Sequence, residues 1–159
     1  MDLEKRVQRL EDRISIREFY DRYCDIIHQR EWTSYAGCFT DDAVFILYAP
    51  SREIYGEGPA DIAATVRADI EKHDFFLMTI AGCHSVVEGD RASARISFSE
   101  FANGPEGGIA SCGVWHDTLV RTAEGWKIRQ RHDVLHYLDK AIPRGNTLVK
   151  MGDCLPIGR

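Results

Sequence analysis

The hydrophobic period of this chain changes once, and that change decides what the chain can become. From Leu3 to about Ile27 apolar residues recur three and four apart. Leu3, Val7, Leu10 and Ile14 make one stripe, and Ile16, Phe19, Tyr20, Tyr23, Ile26 and Ile27 make a broader one. The spacing predicts an amphipathic helix, kinked or broken near Ile14. Trp32, Tyr35, Ala36 and Phe39 predict a second, short helix closed by the turn formers Thr40-Asp41-Asp42, with a strand from Val44 to Tyr48 after it. Gly56 and Gly58-Pro59 mark a loop, and Pro59 opens a third helix carrying Ile62, Val66 and Ile70. After His73 the period becomes two. Ala92, Ala94, Ile96, Phe98 and Glu100 share one face of a strand. Residues 103 to 108 form a flexible connection to a strand from about Ser111 to Arg121, and Ala123-Glu124-Gly125 turns the chain into a last strand. There the alternation places Trp126, Ile128, Gln130 and His132 on one side and Lys127, Arg129, Arg131 and Asp133 on the other. Helices first and a strongly curved antiparallel sheet afterwards make an α+β domain, with helices over the concave face and a pocket between the layers.

With 159 residues, 44% of them hydrophobic, the chain holds one domain with a real core. A net charge of −5 with no dense basic cluster argues against nucleic acid as a partner. The charged start MDLEKRVQRLEDR and the lack of a long apolar run argue against a membrane and for a soluble, cytoplasmic protein. Five cysteines, at 24, 38, 83, 112 and 154, contain no CxxC pair and are read as thiols, not a disulfide framework or zinc site. No phosphate loop, nucleophile elbow or nucleotide, flavin or iron pattern is present, so an enzyme reading is free of cofactors.

The succession RLEDRISIREFYDRYCDIIHQREWTSYAGCFTDDAVF, then GDRASARISF, then GVWHDTLVRTAEGWKIRQR, resembles the SnoaL-like branch of the nuclear-transport-factor-2-like superfamily over nearly the whole chain. The resemblance implies a cone-shaped fold and one domain over 1–159, with a core at 1–137, while the tail at 138–159 keeps Leu148, Val149, Met151 and Leu155 as apolar anchors and is expected to fold over the pocket mouth or a dimer partner. It also implies a small-molecule ligand and a homodimer, for which Val114, Thr118 and Val120 on the convex sheet face are the candidate patch. Its members include dehydratases, isomerases, polyketide cyclases, a dehydrochlorinase, small subunits of ring-hydroxylating dioxygenases and binding proteins without catalysis. Many catalytic members carry an aspartate four residues before the Trp and a catalytic histidine after the third helix. Here those positions hold His28 and Met78.

Two readings of His28 follow. An imidazole at a helix C-terminus can cap free carbonyls, with its charged form favoured by the dipole, or it can carry a proton if the helix ends before it and the ring reaches the cavity. The resemblance implies that Tyr23 and Tyr48 polarise a substrate carbonyl. It also implies that Trp115 replaces a polar pocket residue, giving a more apolar cavity. His132, by parity, points toward the core or the pocket, and Glu100 continues an apolar face. If both point inward they make an alternative acid–base pair. His84 and His116 are minor candidates. His132 and His136 lie too far apart on a strand to chelate a metal, so no metal site is expected. The reading that results is a lyase or isomerase acting on a small apolar carbonyl compound. Its rivals are a non-catalytic binding or assembly domain and a dioxygenase small subunit.

Overall fold

The computed structural model describes residues 2–148. Three helices, α1 (Leu3–Gln29), α2 (Trp32–Ala36) and α3 (Pro59–Ile70), combine with six strands, β1 (Phe39–Tyr48), β2 (Arg52–Glu57), β3 (Phe75–Glu88), β4 (Arg91–Gly104), β5 (Gly107–Thr122) and β6 (Gly125–Ile142). The strands form one open sheet in the order β2-β1-β6-β5-β4-β3. Every neighbouring pair is antiparallel except β1 and β6, which run parallel. The α+β architecture expected from the change of period is the one observed.

Several local expectations give way to the fold. The first helix is continuous through Ile14. Thr40-Asp41-Asp42 lies within strand β1, between the Phe39–Ile128 and Val44–Gln130 pairs that join it to β6. The segment around Gly56 is a strand, β2, hydrogen-bonded to β1, and its Gly56 leaves no room for a side chain because a Cβ would stand 2.8 Å from Ile62 Cα. The flexible connection at 103–108 is instead a tight hairpin in which Gly104 pairs with Gly107, the latter at φ 119°.

The core forms where α1 and α3 press onto the sheet. Ile16, Tyr20, Tyr23 and Ile27 of α1 are buried against Ile96, Phe98, Trp115, Leu119 and Ile128 of the sheet, and Ile62, Val66 and Ile70 of α3 complete the layer. Two polar contacts fasten the outer half of α1 to the sheet. Arg121 reaches Asp12 at 2.7 Å, and the Trp126 indole N–H donates to Ser15 Oγ at 3.1 Å. Cys24 and Cys38 are buried and Cys83 and Cys112 half-buried, all as free thiols.

The strand that decides the interior is β6. Its register against β5 shifts between Thr118 and Leu119, which pair with Gln130 and Ile128, so Arg129 is an extra residue. Such a bulge turns every later side chain over relative to strict alternation. Trp126 and Ile128 face the core as expected, but beyond Arg129 it is Arg131 and Asp133 that are buried. A second shift between Cys112 and Gly113 leaves His136 as the extra residue and returns Leu138 and Lys140 to the concave side.

The chain after β6 folds back onto the sheet edge. Asn103 holds the backbone of Gly145 and the hydroxyl of Thr147, and Arg144 pairs with Asp74 at 3.6 Å. Val149, Met151 and Leu155, expected as anchors of the tail, lie outside the described residues.

Candidate active site

Between the helices and the concave sheet lies a cavity of about 770 Å³. Its walls are aromatic and aliphatic: Tyr35, Phe45, Tyr55, Phe76, Ile27 and Leu135 each contribute from a different element. At its floor the polar groups concentrate around Arg131, which is fully buried. Asp117 grips the guanidinium from two sides, with Nε to Oδ1 at 3.0 Å and Nη2 to Oδ2 at 2.6 Å, and the Tyr20 hydroxyl donates to the same carboxylate at 2.8 Å. The guanidinium also lies over the Trp115 ring, 3.8 Å from its centroid. Removing two opposite charges from water is costly, and the paired geometry with its extra hydrogen bonds is what offsets that cost.

Arg131 passes its polarity onward. Nη1 donates to the Tyr23 hydroxyl at 2.6 Å, and the Tyr23 and Tyr35 hydroxyls stand 2.7 Å apart. The guanidinium can only donate, so Tyr23 accepts from it, and the arrangement in which Tyr23 then donates to Tyr35 leaves the Tyr35 proton for another acceptor. Burial, the largest influence on both phenols, raises their pKa well above the ordinary tyrosine value, so both remain neutral donors.

Four carboxyl side chains line the cavity, Asp133 and Glu100 among them. Asp133 is 9% exposed, and burial pushes its pKa up to about 7, with Glu100 raising it further while Arg131 opposes the shift. Its Oδ1 and the Trp115 indole Nε1 are both sealed from solvent without a hydrogen bond of good geometry, although the indole favours the ionised carboxylate. Glu100 is raised chiefly by burial as well, against the opposing effects of Ser111 and Arg131, and Ser111 Oγ donates to its Oε2 at 2.6 Å. At the cavity mouth, Asp69 accepts from the Tyr55 hydroxyl and from Lys72 Nζ, the latter at 2.6 Å.

The residues singled out in the sequence divide cleanly. Tyr23, Met78, Glu100 and Trp115 line the cavity. His28, Tyr48, His84, His116 and His132 are not among its lining residues. The helix does not end before His28 but continues to Gln29 and is closed by Arg30 in the left-handed conformation at φ 57°. The His28 ring therefore stays on the helix and inserts against β3, with Nε2 3.0 Å from both the amide nitrogen and the carbonyl oxygen of Met78. Burial lowers its pKa, opposite to the expectation from the helix dipole and against the raising effect of the Met78 backbone, and the tautomer decides whether Nε2 accepts the Met78 N–H or donates to its carbonyl. The Arg129 bulge puts His132 on the convex face, where Nδ1 stands 3.1 Å from the Tyr48 hydroxyl and the two rings stack. Tyr48 is there because Phe45 and Leu47 take the inward positions of β1. Glu100 and His132 accordingly sit on opposite sides of the sheet and form no pair. His84, Arg95, His116 and His132 occupy one cross-strand row on that outer face.

Arg131, Asp133, Asp117 and Tyr35 are the site residues that sequence reasoning misses. Alternation assigns Arg131 and Asp133 to solvent, and only the bulge reverses them. The run Arg129-Gln130-Arg131, polar at three consecutive strand positions, is the one sequence signal that alternation fails there. Among the described residues no three His, Cys, Asp or Glu side chains are grouped to hold a metal ion, and no helix is long and apolar enough to cross a membrane.

Comparison with known proteins agrees with this architecture. The uncharacterized protein Rv2910c of Mycobacterium tuberculosis is 30% identical over 128 residues, which are 79% of this chain and 86% of that protein. The crystal structure of an NTF2-like protein with a cystatin-like fold from Novosphingobium aromaticivorans matches 84% of this chain and 88% of its own, at 25% identity and a TM-score of 0.68. A type 2 hexachlorocyclohexane dehydrochlorinase, LinA, shares the fold at a TM-score of 0.73 and 16% identity, over 90% of this chain and 99% of its own. Residues 8–132 match the SnoaL-like domain, and the chain belongs to that family, within the nuclear-transport-factor-2-like superfamily.

Proposed function

We propose that this chain is a lyase or isomerase that works without a cofactor on a small, largely apolar carbonyl compound, with Asp133 carrying the proton. One observation carries the reading. A carboxyl group 9% exposed, with its pKa near 7, lines an apolar cavity whose floor also presents neutral phenol donors polarised by a buried arginine. A base with a pKa close to working pH is populated in its active form and still strong enough to remove a proton next to a carbonyl.

In this reading the substrate carbonyl accepts the Tyr35 proton, and the Arg131–Tyr23–Tyr35 chain stabilises the oxyanion that develops. Ionised Asp133 takes the proton from the adjacent carbon. For isomerisation the same carboxylic acid returns it at another carbon. For dehydration the protonated form of Glu100, which burial favours, gives its proton to the departing hydroxyl, so that one water leaves and both carboxyl groups have exchanged protonation states. The apolar walls exclude water and strengthen each of these interactions.

The test is hydrogen–deuterium exchange in deuterated water. A panel of flat and terpenoid ketones and β-hydroxy ketones is followed by mass spectrometry for deuterium next to the carbonyl and for loss of water. Wild-type protein is expected to exchange or eliminate with at least one panel member, and Asp133→Asn to lose about 10²–10⁴-fold of that rate. Equal rates for both proteins would end the assignment of Asp133. A non-catalytic binding domain is the second reading, favoured by Met78, which lines the cavity at the position where many catalytic relatives place a histidine. Retention of a panel ketone in native mass spectra with no exchange at all would select it.

A further inference from the structure

Helix α1 carries two apolar stripes, and the domain uses only one. Ile16, Tyr20, Tyr23 and Ile27 are at most 1% exposed, whereas Leu3, Val7, Leu10 and Ile14 are 68%, 44%, 57% and 56% exposed. Ile14 and Ile16 are about 200° apart around a helix of 3.6 residues per turn, so the exposed stripe points away from its own domain. A second chain can approach it without meeting the sheet.

The exposed residues are spaced by four, three and four, the a and d pattern of a two-helix seam, with Val7 and Ile14 at a and Leu3 and Leu10 at d. The flanking charges are sorted. Arg6 and Arg13 fall at g, and Glu4, Glu11 and Glu18 fall at e, all exposed. Asp12, Arg17 and Asp21 of α1 make ion pairs within the domain, whereas these flanking charges make none among the described residues and can face a partner. Parallel pairing sets each g position against the next e position of the other helix, Arg6 against a second Glu11 and Arg13 against a second Glu18. Antiparallel pairing would set arginine against arginine and glutamate against glutamate. The charges therefore select one orientation. We propose that the outer stripe of α1 docks a second copy of this chain in parallel, through Leu3, Val7, Leu10 and Ile14.

Two heptads are too short to associate as a free peptide, because most of the gain would be spent on forming the helix. Here that helix is already formed, held to the sheet by the Asp12–Arg121 and Ser15–Trp126 contacts. The seam falls below the ~1,200 Å² of a standard interface, so the association is weak and depends on concentration. This inference is independent of the chemistry assigned to the cavity.

Sedimentation velocity of the full chain between about 1 and 100 µM tests it. A monomer–dimer equilibrium is expected, with dissociation at least about tenfold easier in Leu10→Glu and an unchanged circular dichroism spectrum, since Leu10 contributes nothing to its own core. Arg6→Glu is expected to weaken the dimer and Arg6→Glu with Glu11→Arg to restore it, a rescue that only parallel pairing allows. Oxidation of Leu10→Cys should give a covalent dimer beyond the wild-type background. A monomer throughout the range, association indifferent to Leu10→Glu as a sheet-face dimer would be, or failure of the charge swap to restore association each overturns the proposal.

Discussion

Four successive residues of β6 separate into two chemical worlds. Arg131 and Asp133 face the cavity, buried among aromatic rings, while His132 and Val134 face outward, where His132 shares a row with the exposed His116, Arg95 and His84. An ordinary imidazole titrates near neutrality, but this one sits on the wrong side for the cavity. A carboxyl group has no such pKa in water, yet burial moves Asp133 to about 7. Location, not residue type, decides which of the two can exchange a proton with a bound molecule.

The most damaging way to break this contrast is to unmake the cavity floor. Arg131→Met leaves the Asp117 carboxylate buried without its partner and is expected to cost about 3–5 kcal/mol of stability, measurable as a lowered midpoint in urea unfolding. Next comes Asp133→Asn, with the loss of rate given above and a distinct stability signature. The folded pKa of Asp133 lies above its unfolded value, so the folded state holds the proton more tightly. Its contribution is complete below about pH 4, declines as pH rises through about 7, and is lost above that. Thermal unfolding from about pH 4 to about pH 8 should therefore show the Asp133→Asn protein gaining on wild type as pH rises. Parallel pH profiles of the two proteins would remove Asp133 from the contrast.

A smaller effect is expected inside the helical layer. His28→Asn loses the ring's hydrogen bond to the Met78 backbone and should cost about 0.5–1.5 kcal/mol, while keeping more than about a third of the wild-type rate, far from the ~10²-fold or greater loss of a missing base. A rate collapse with unchanged melting temperature would return the proton to the helix end. The smallest effect belongs to the convex face. His132→Gln gives up one hydrogen bond and a ring stack with Tyr48, so about 0.5–1 kcal/mol and an unaltered rate are expected in the same two assays.

How far the sequence can be read follows the same division. Positions set by local rules are legible: Pro59 opens α3, Gly125 at φ 108° turns β5 into β6, and the even residues from Ala92 to Phe98 face the core. Tyr23 and Glu100 reach the cavity for the same reason, since helix or strand period fixes their side, while Met78 and Trp115 are legible through the family resemblance. Arg131 and Asp133 escape such reading, because their side depends on how many residues β6 spends opposite Thr118 and Leu119, which is a property of two strands at once. Tyr48 fails by one position on β1. His28 fails because the backbone of Arg30, not a sequence stop signal, ends the helix, later than a catalytic placement of the ring requires.

The extra residue at Arg129 also makes β6 tolerant of a change in length. Its side chain makes only an exposed pair with Asp42 at 3.0 Å, and removing it would let Ile128, Gln130 and Arg131 alternate regularly with every later residue on its present side. Related chains can therefore differ by one residue here and keep the same interior. An alignment drawn through this point without a gap will match Asp133 to an outward-facing neighbour, and comparisons of family members across β6 need to be anchored on which side chain enters the cavity.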